Sequence, residues 1–447
     1  MRGLTGFGWT LHGDGTTPRP GESVAPHERL TWGRTVGIGA QHVVAMFGAT
    51  FVFPVLMGLD PNLAIMVSGG ATILFLLVVQ GRIPSYLGSS ASFVGAVAAI
   101  RAGGGDSATV TGAILVSGVV LAVIGAVVHY AGPAVVQRLL PPVLSGAVVL
   151  LIGFNLAPVV AETYWPQDQW TALLTMIIVL AGSVLLPGFW GRIAVFLGLV
   201  GGYLLSWLFD VLLGPITAPD ANGVVSTHPR VDLGGVADAA WFGLPEVHAP
   251  SFSASAIIVV LPAVIALLAE NTGHVKAVEE MTGSDLQGSL GRAVFADGLA
   301  TTVSSALGGP PTTTYAENIG VMAATRVYST AAYWVAAVVA VCFGLCPKFG
   351  AVVAAVPGGV LGGITVVLYG MVGLLGVKIW VQHRVDFADP VNLLPVAAGV
   401  IAGIGGVSLT FTPSLSLSGI ALGTLITVLG YHLLRAFAPG RDRITPP

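Results

Sequence analysis

The 447-residue sequence predicts an all-α polytopic membrane protein, and its composition is the first observation behind that prediction. The chain is 54% hydrophobic and 9% charged, with a mean hydropathy of +0.87. A soluble domain carries roughly 25% charged residues because its surface must stay hydrated. The composition therefore excludes a soluble enzyme and a disordered chain. With 18 Lys and Arg against 21 Asp and Glu, it also excludes a nucleic-acid-binding surface. Two cysteines, Cys342 and Cys346, are too few for a disulfide framework.

Fourteen apolar stretches follow one another from Thr35 onward. Each is read as a transmembrane segment, because a spanning helix needs about 20 mostly apolar residues. The predicted segments are 35–56, 61–80, 84–100, 108–130, 142–160, 170–187, 192–213, 252–275, 292–307, 312–325, 328–346, 351–375, 391–408 and 415–436. The third and the tenth are short and rich in Ser, Thr, Gly and Pro. Residues 1–33 lack the apolar core of a signal peptide, so we expect a tail there.

The positions of Lys and Arg agree with this count, since these residues concentrate in cytoplasmic loops. With the N-terminus inside and the segments alternating, only Arg101, Arg230 and Lys348 of the 18 lie outside. The longest loop, 214–250, falls outside and is net acidic. We therefore predict a multi-pass protein of the plasma (bacterial inner) membrane with both termini in the cytoplasm.

Two segments in opposite halves of the chain resemble each other. The sequence PVLSGAVVLLIG at 142–153 matches GVLGGITVVLYG at 359–370, and every identical pair is 217 positions apart. These are the fifth and twelfth segments, and a spacing of seven segments reverses the orientation in the membrane. The match predicts an inverted repeat of seven plus seven segments, as in many secondary transporters. The alternative is chance similarity between two helices rich in Gly and Val.

The third and tenth segments predict two half-helices. The stretches 83–97 and 309–326 each begin with Pro and small hydroxylic residues before a helical pattern. A half-helix that starts inside the membrane directs free backbone N–H groups from its N-terminal end. Two such ends facing each other would form a pocket of hydrogen-bond donors. The alternative is a pair of kinked or re-entrant helices without a ligand.

Two carboxylates inside predicted segments are candidates for binding a substrate or carrying a proton. Glu270 lies near the end of the eighth segment and Glu317 in the middle of the tenth. A carboxylate at the centre of a membrane helix costs about 3 kcal/mol, so it needs a partner or a role. The alternative for both is a helix–helix hydrogen bond. Asp297, near the start of the ninth segment, is interpreted as structural and close to an interface.

Three further polar residues lie in apolar helices. His274 follows Glu270 by four residues on the same helix face, so it either shares a proton with that acid or caps the helix end. Gln41 and His42, in the first segment, are interpreted as bracing neighbouring backbone rather than touching a substrate. Cys342 and Cys346 have no His or acid cluster beside them, so a metal site is not expected.

These motifs resemble the nucleobase–ascorbate transporter family, and within it the bacterial uracil permeases. The family signature is Glu, Gln or Pro, then Asn-x-Gly-x-x-x-x-Thr, then Arg, Lys or Gly. It is complete here in Glu317, Asn318, Gly320, Thr325 and Arg326. The stretches QHVVAMFGAT at 41–50, IPSYLGSS at 83–90 and TTTY at 312–315 are also similar to uracil permeases. The resemblance extends from Thr31 to Leu434.

The resemblance implies a core domain and a gate domain, with short antiparallel strands in segments three and ten. The implied parts are a cytoplasmic N-terminal tail (1–33), the core domain (34–130 and 251–346), the gate domain (131–213 and 347–436), an extracellular loop (214–250) and a cytoplasmic C-terminal tail (437–447). The resemblance further implies an elevator-type movement of the core against the gate, and a homodimer.

The resemblance also implies a substrate site. Its acids match Glu270 and Glu317, and His274 matches a histidine linked to proton coupling. The implied substrate-binding residues are Glu270, Glu317, Ala316, Tyr315, Ala91, Phe93 and Ala49, and the structural signature adds Asn318, Gly320, Thr325, Arg326, Gln41 and His42. Uracil permeases commonly have Phe at Ala91, Gly at Ala316 and His at Asn271. Ala91 removes an aromatic wall, although Phe93 lies nearby, and a wider pocket would admit xanthine or another purine.

The expected function is therefore a proton-coupled nucleobase importer, with uracil as the first substrate and xanthine or a broader range of bases as the alternative. A channel-like anion pore predicts a cationic site, but no Lys or Arg lies deep in the predicted segments. A membrane enzyme would need a nucleophile–base pair or a metal cluster, which the sequence does not indicate. An ascorbate carrier is disfavoured because its anionic substrate would face two acids.

The expected partners are the nucleobase, the lipid bilayer and a second copy of the chain, with no nucleic acid. No cofactor or metal is expected. The coupling ion is expected to be a proton, with sodium left open.

Overall fold

The computed structural model describes residues 8–16, 18–19, 21–187, 189–220, 223–412 and 415–438, and these residues are mostly helical. The helices are α1 (Trp32–Met57), α2 (Pro61–Val78), α3 (Val94–Ala102), α4 (Ser107–Ala131), α5 (Ala134–Leu139), α6 (Pro142–Phe154), α7 (Ala157–Val159), α8 (Gln169–Leu185), α9 (Phe189–Arg192), α10 (Ala194–Leu213), α11 (Gly234–Asp238), α12 (Ala254–Val260), α13 (Ala263–Thr282), α14 (Leu290–Ala306), α15 (Ala316–Thr325), α16 (Thr330–Gly344), α17 (Pro347–Ala354), α18 (Gly358–Gln382), α19 (Pro390–Ile404) and α20 (Gly419–Phe437). The strands are β1 (Thr10–Leu11), β2 (Glu28–Arg29), β3 (Leu87–Ser89), β4 (Ile216–Pro219), β5 (Val225–His228), β6 (Thr312–Thr314), β7 (Ser408–Thr412) and β8 (Leu415–Ser418).

Eight helical stretches in the described part of the chain are long and apolar enough to cross a membrane. They are Trp32–Met57, Pro61–Val78, Ser107–Ala131, Pro142–Gln167, Ala194–Leu213, Ala254–Thr282, Gly358–Gln382 and Gly419–Phe437. The helices α16 and α17 together make a ninth candidate, bent by 83°. Shorter apolar helices cover Ala91–Ala102, Gln169–Leu185 and Pro390–Ile404. The chain is a helical, multi-pass membrane protein, as its composition predicted.

The helix that carries Glu270 extends farther than its apolar stretch. The predicted eighth segment ended at residue 275, but α13 continues to Thr282. Its last turns carry charged residues such as Lys276 and Glu279, which favour helix formation as well as apolar residues do. Hydropathy detects only the apolar part of such a helix. The prediction that Glu270 lies near the helix end is therefore wrong, since the residue lies in the middle of α13.

The predicted twelfth segment is divided in the structure. It was expected to begin at residue 351, but residues up to Ala354 belong to α17, and α18 begins at Gly358. Pro357 stands immediately before α18 as its N-cap residue. Proline disfavours helical backbone in the residue before it, so a helix usually ends there. Hydropathy alone does not show this break, because the residues around it are apolar.

The helices α4 and α14 pack with their backbones in contact. A methyl group added to Gly298 would lie 2.3 Å from Ala122 N, and one added to Gly125 would lie 2.2 Å from Phe295 N. Only glycine permits such an approach, which is typical of helix pairs in membranes. On α14, the Thr301 hydroxyl in turn lies 2.9 Å from the Thr312 hydroxyl on β6. The pair of helices α4 and α14 is therefore connected to β6 through this contact.

The predicted N-terminal tail is ordered against the helices over its described residues. The strand β1 pairs in parallel with β2, and Val24 forms a parallel bridge with Val327, just after α15. Val24, Leu30 and Val327 are all buried and pack together. The segment before α1 thus contacts the end of the half-helix that carries the signature.

Candidate functional site

An antiparallel pair of three-residue strands marks the candidate site. The register of β3 and β6 is Leu87 opposite Thr314, Gly88 opposite Thr313 and Ser89 opposite Thr312. Each strand leads into a helix: β3 into a short 3₁₀ turn and α3, and β6 into α15. The short strands that the resemblance implied for segments three and ten are therefore present. Because the strands are antiparallel, α3 and α15 leave the crossing in opposite directions with both N-termini beside it.

These two helix N-termini supply hydrogen-bond donors. The first N–H groups of a helix have no partner within it. Tyr315, the N-cap residue of α15, makes no side-chain capping bond. On the other side, Ser90 Oγ accepts a bond from Ser92 N at 3.3 Å and caps the 3₁₀ turn. The first turn of α15 is thus a set of donors suited to a carbonyl or anionic oxygen.

Glu270 on α13 is held by one hydroxyl from each strand–helix unit. Ser92 Oγ donates to Glu270 Oε1 at 2.9 Å, and Thr313 Oγ1 donates to Glu270 Oε2 at 2.8 Å. Hydrogen bonds to a charged group contribute roughly 1.5–3 kcal/mol each. The acid is therefore fixed in position at the centre of the crossing.

Glu317 lies in the first turn of α15 and is exposed. Among the described residues, no other side chain bonds to its carboxylate. An exposed carboxylate in a membrane helix faces a water-filled space rather than lipid. The site thus combines one immobilised acid with one that is free to bind a ligand.

Asp297 is a third acid near the strands. Its side chain is fully buried, with Asn271 Nδ2 donating to Oδ2 at 2.7 Å and Thr312 Oγ1 donating to Oδ1 at 3.0 Å. Its bonds connect α13 to β6 through α14, which is a structural arrangement.

His274 does not bond to Glu270 in the described part of the chain. Both oxygens of Glu270 are occupied by Ser92 and Thr313, and the buried Nε2 of His274 has no partner there. The imidazole lies about one helical turn beyond the acid. A proton shared between the two groups would need a water molecule or a rearranged side chain.

The signature asparagine fixes α15 to α1. Asn318 Nδ2 lies 3.0 Å from His42 Nδ1 and 3.2 Å from His42 O. The His42 ring is itself packed against Tyr333, with centroids 4.3 Å apart. His42 thus braces the half-helix from α1, and Gln41 is half-buried beside it.

Tyr315 braces the strand crossing. Its hydroxyl donates to Ser89 O at 2.8 Å, and Thr50 Oγ1 donates to it at 3.3 Å. Its ring covers Gly88, where an added methyl group would lie 2.6 Å from the ring. The side chain is 4% exposed, so packing within the protein accounts for most of its surface.

Four apolar residues were also expected at the site: Ala49, Ala91, Phe93 and Ala316. Ala91 is 8% exposed in the turn before α3, and Phe93 is completely buried in the hydrophobic core. The side chains of Ala49 and Ala316 lie outside the described part of the structure.

The remaining signature residues shape α15 and its end. Gly320 lies one turn after Glu317, and an added methyl group there would meet nothing within 4 Å. Thr325 Oγ1 donates to Val321 O at 2.9 Å and accepts from Val327 N at 3.2 Å. Arg326 ends the helix in the left-handed conformation, with φ of 54°. The signature thus includes both the acid and the features that terminate its helix.

Sequence reasoning did not identify Ser92 and Thr313 as the partners of Glu270. Both were visible only as members of hydroxyl-rich stretches, 83–97 and 309–326. Alternation along β6 directs Thr313 to one face and Thr312 and Thr314 to the other. Only the pairing of β3 with β6 shows that Ser92 and Thr313 reach the same carboxylate.

The arrangement can recognise a small polar ring. A carboxylate accepts N–H groups, and free helix N–H groups donate to carbonyl oxygens. Within the described residues, no group of three or more His, Cys, Asp or Glu is placed to hold a metal ion.

The sequence is similar to characterised families and proteins over most of its length. The family model described as "Permease family" matches residues 33–411. The chain is 43% identical over 432 residues to the "Putative pyrimidine permease RutG" of Escherichia coli K12, covering 95% of this chain and 94% of that protein. It is 35% identical to the "Uracil permease" of Bacillus caldolyticus, covering 93% and 94% of the two chains.

The fold is similar to those of solved transporters. The transmembrane domain of a cyanobacterial bicarbonate transporter, BicA, superposes with a TM-score of 0.54 at 14% identity over 89% of this chain and 96% of that one. The murine anion transporter Slc26a9, in an inward-facing state, superposes with a TM-score of 0.63 at 12% identity over 90% and 68% of the two chains. At these identities the likeness concerns the fold alone.

Proposed function

Since the chain belongs to the nucleobase–ascorbate transporter family of permeases, we propose that it is a proton-coupled symporter that imports uracil across the plasma membrane. The observation that carries this proposal is the paired half-helix site, with Glu270 held from both sides and Glu317 free. Two relatives support the substrate class: one named as a putative pyrimidine permease, at 43% identity, and one named as a uracil permease, at 35% identity.

Uracil complements this site chemically. Its ring presents N–H groups next to carbonyl oxygens. The free carboxylate of Glu317 can accept the N–H groups, and the open N–H groups of α15 can donate to the oxygens. A site built from such groups rejects ligands that leave them unpaired.

Proton coupling is assigned to Glu270, with His274 as its neighbour on the same helix. Ser92 and Thr313 each donate a hydrogen bond to the Glu270 carboxylate, and such bonds favour its charged form. Protonation would remove the repulsion between the two acids and allow Glu317 to bind the base. Proton and base would then be released together on the cytoplasmic side.

The proposed transport cycle is an elevator movement within an inverted repeat of fourteen segments. The pairing of a strand from each half of the chain, β3 with β6, supports the repeat. The likeness to solved transporters at TM-scores of 0.54 and 0.63 supports a transporter fold, and the core and gate domains rest on the family. The cytoplasmic location of both termini rests on the Lys and Arg distribution, and the homodimer rests on the family.

The test is uptake of labelled uracil into proteoliposomes with and without an inward proton gradient. We expect gradient-driven uptake by the parent protein. Glu317→Gln should reduce uptake at least about tenfold, because it removes a charged acceptor worth roughly 1.5–3 kcal/mol. Glu246→Gln, in the outer loop, is the matched control and should behave as the parent. Uptake by Glu317→Gln at the parent rate would contradict the proposed site.

Glu270→Gln separates coupling from binding. Its side chain stays neutral at every pH, so we expect uracil binding to persist while uptake no longer responds to the gradient. Lost binding, with normal gradient dependence in the residual transport, would contradict the assignment of the proton to Glu270. Repeating the gradient with sodium in place of protons tests the other coupling ion.

Xanthine is the second candidate substrate, and Ala91 favours it. Ala91 is a small residue at the start of the half-helix, and it is 8% exposed. We expect xanthine to compete with uracil in the parent protein. Ala91→Phe should narrow the site, so that xanthine competition falls while uracil uptake remains. Failure of xanthine to compete in the parent would restrict the proposal to uracil.

A further inference from the structure

The two half-helices are in different surroundings. Gly95, in the first turn of α3, lies against the gate side chains Asn155 and Ile420. A methyl group on Gly95 would lie 2.8 Å from Asn155 Nδ2 and 3.4 Å from Ile420 Cδ1. Gly320, in the first half of α15, has nothing within 4 Å of the same position. The start of α3 is thus packed against predicted gate residues, whereas the methyl position on Gly320 is open.

A second open glycine position lies on α13. Gly273 follows Glu270 by three residues, as Gly320 follows Glu317, and a methyl group on Gly273 would also meet nothing within 4 Å. Glu317, Gly273 and Ala324 are all exposed. A carboxylate in a membrane segment usually faces the bundle interior or a water-filled cavity.

The closed side is formed by small core residues against larger gate residues. Ala266 on α13 packs with Val148 and Ile152 of α6 and with Ile420 of α20, and all four are buried. Asn155 follows α6 directly and is the polar member of this contact. These buried apolar residues exclude water between α13 and the predicted gate helices α6 and α20.

Asn155 is enclosed by two glycines. Its Nδ2 lies 2.8 Å from the position of an added methyl group on Gly95, and its Oδ1 lies 2.9 Å from that position on Gly419. Gly419 has φ of 54°, a conformation that disfavours other residues. The amide therefore fills the space between the core half-helix and the start of α20 and has little room to move away.

We infer that Asn155 is a gating residue that closes the site on the α3 side, and that Gly95 is the core surface on which it seats. This inference rests on the proposed alternating-access function. A side chain at position 95 would oppose the closed contact and shift the protein toward the arrangement in which α3 is exposed. Removing the Asn155 amide would make room for that side chain.

The test measures which side is open, without using a substrate. A reporter cysteine, Ala324→Cys, is introduced in a background with Cys342→Ala and Cys346→Ala, and its labelling rate with a maleimide is followed in nanodiscs. We expect Gly95→Ala to slow labelling about fivefold, by overpacking the closed contact. The double variant Gly95→Ala with Asn155→Ala should regain the reporter's rate. Gly70→Ala, on α2 with nothing within 4 Å, is the matched control and should not change it.

Asn155→Gln gives an independent second variant if Gly95→Ala does not fold. It lengthens the amide by one methylene with Gly95 unchanged, and it should slow labelling in the same direction. Unchanged labelling in Gly95→Ala and Asn155→Gln, or slowing that Asn155→Ala does not relieve, would overturn the inference. Because labelling needs no uracil, a parent protein without uracil uptake would contradict the proposed function and leave this test intact.

Discussion

At the level of single residues, the candidate site depends on side-chain hydroxyls as much as on acids. Glu270 would be a costly group in a membrane helix without partners. Ser92 and Thr313 supply them, one from each strand–helix unit. Any movement that separates β3 from β6 would break one of these bonds. The hydrogen bonding of Glu270 therefore depends on the relative position of the two half-helices.

Thr313→Val tests this arrangement. Removing the hydroxyl leaves one oxygen of Glu270 without its donor, at a cost of roughly 1–3 kcal/mol. We expect the apparent KM for uracil to rise about tenfold. The matched control is Thr314→Val, because the Thr314 hydroxyl is buried without a partner in the described residues. Equal effects of the two substitutions would contradict a special role for Thr313.

Among the secondary-structure elements, the half-helix α15 is anchored at both ends. Near the start of α15, Asn318 bonds to His42 on α1. Just after the end of α15, the chain bonds to the N-terminal segment. Val24 N donates to Arg326 O at 2.9 Å, and Val24 O accepts from Tyr328 N at 2.8 Å. Thr330 N donates to Pro26 O at 3.0 Å. The segment before α1 therefore acts as a strap on the end of α15.

Val24→Ala tests the strap. Val24 is completely buried, so its truncation should cost about 1–3 kcal/mol of local stability. We expect faster hydrogen exchange at the amides of Tyr328 and Thr330, measured by mass spectrometry. Val225, in the hairpin of the outer loop, is 66% exposed. Val225→Ala is therefore the control and should leave exchange at those amides unchanged. Unaltered exchange in Val24→Ala would show that the strap does not hold this turn.

Across the whole molecule, the outer loop joins regions that are distant in sequence. Arg230 lies 2.7 Å from Asp168, at the start of α8, and 3.1 Å from Asp210, near the end of α10. Farther along the loop, His248 N donates to Leu307 O, just after α14, at 3.3 Å. The loop therefore contacts both the predicted gate helices and the predicted core helices.

Arg230→Gln should destabilise the molecule more than a surface substitution does. The guanidinium is 10% exposed, and removing it leaves two carboxylates without their cation, a loss of about 3 kcal/mol. We expect a clear fall in the thermal unfolding midpoint in detergent, with a smaller fall for Arg230→Lys. Lys348→Gln, a cation over the exposed Trp241 ring, is the control. Equal unfolding midpoints for all three variants would contradict a stabilising role for the ion pairs of Arg230 with Asp168 and Asp210.

The amino-acid sequence alone was sufficient for the membrane location, the interrupted third and tenth segments, and the acids Glu270 and Glu317. These features are local, because each depends on the hydropathy or the polarity of a short stretch. The family signature in Glu317–Arg326 added the transporter class. The end of α13 at Thr282 and the break before Gly358 were missed, since charged residues can continue a helix and proline can interrupt an apolar run.

Only the tertiary structure decided which groups meet. Leu87–Ser89 and Thr312–Thr314 are separated by more than 200 residues, so their pairing is not visible in either stretch alone. Neither are the hydroxyl partners of Glu270, the burial of Phe93 in the hydrophobic core, or the position of Asn155 between Gly95 and Gly419. Hydropathy acts along the chain, residue by residue. Hydrogen bonds and close packing act between surfaces that the fold alone brings together.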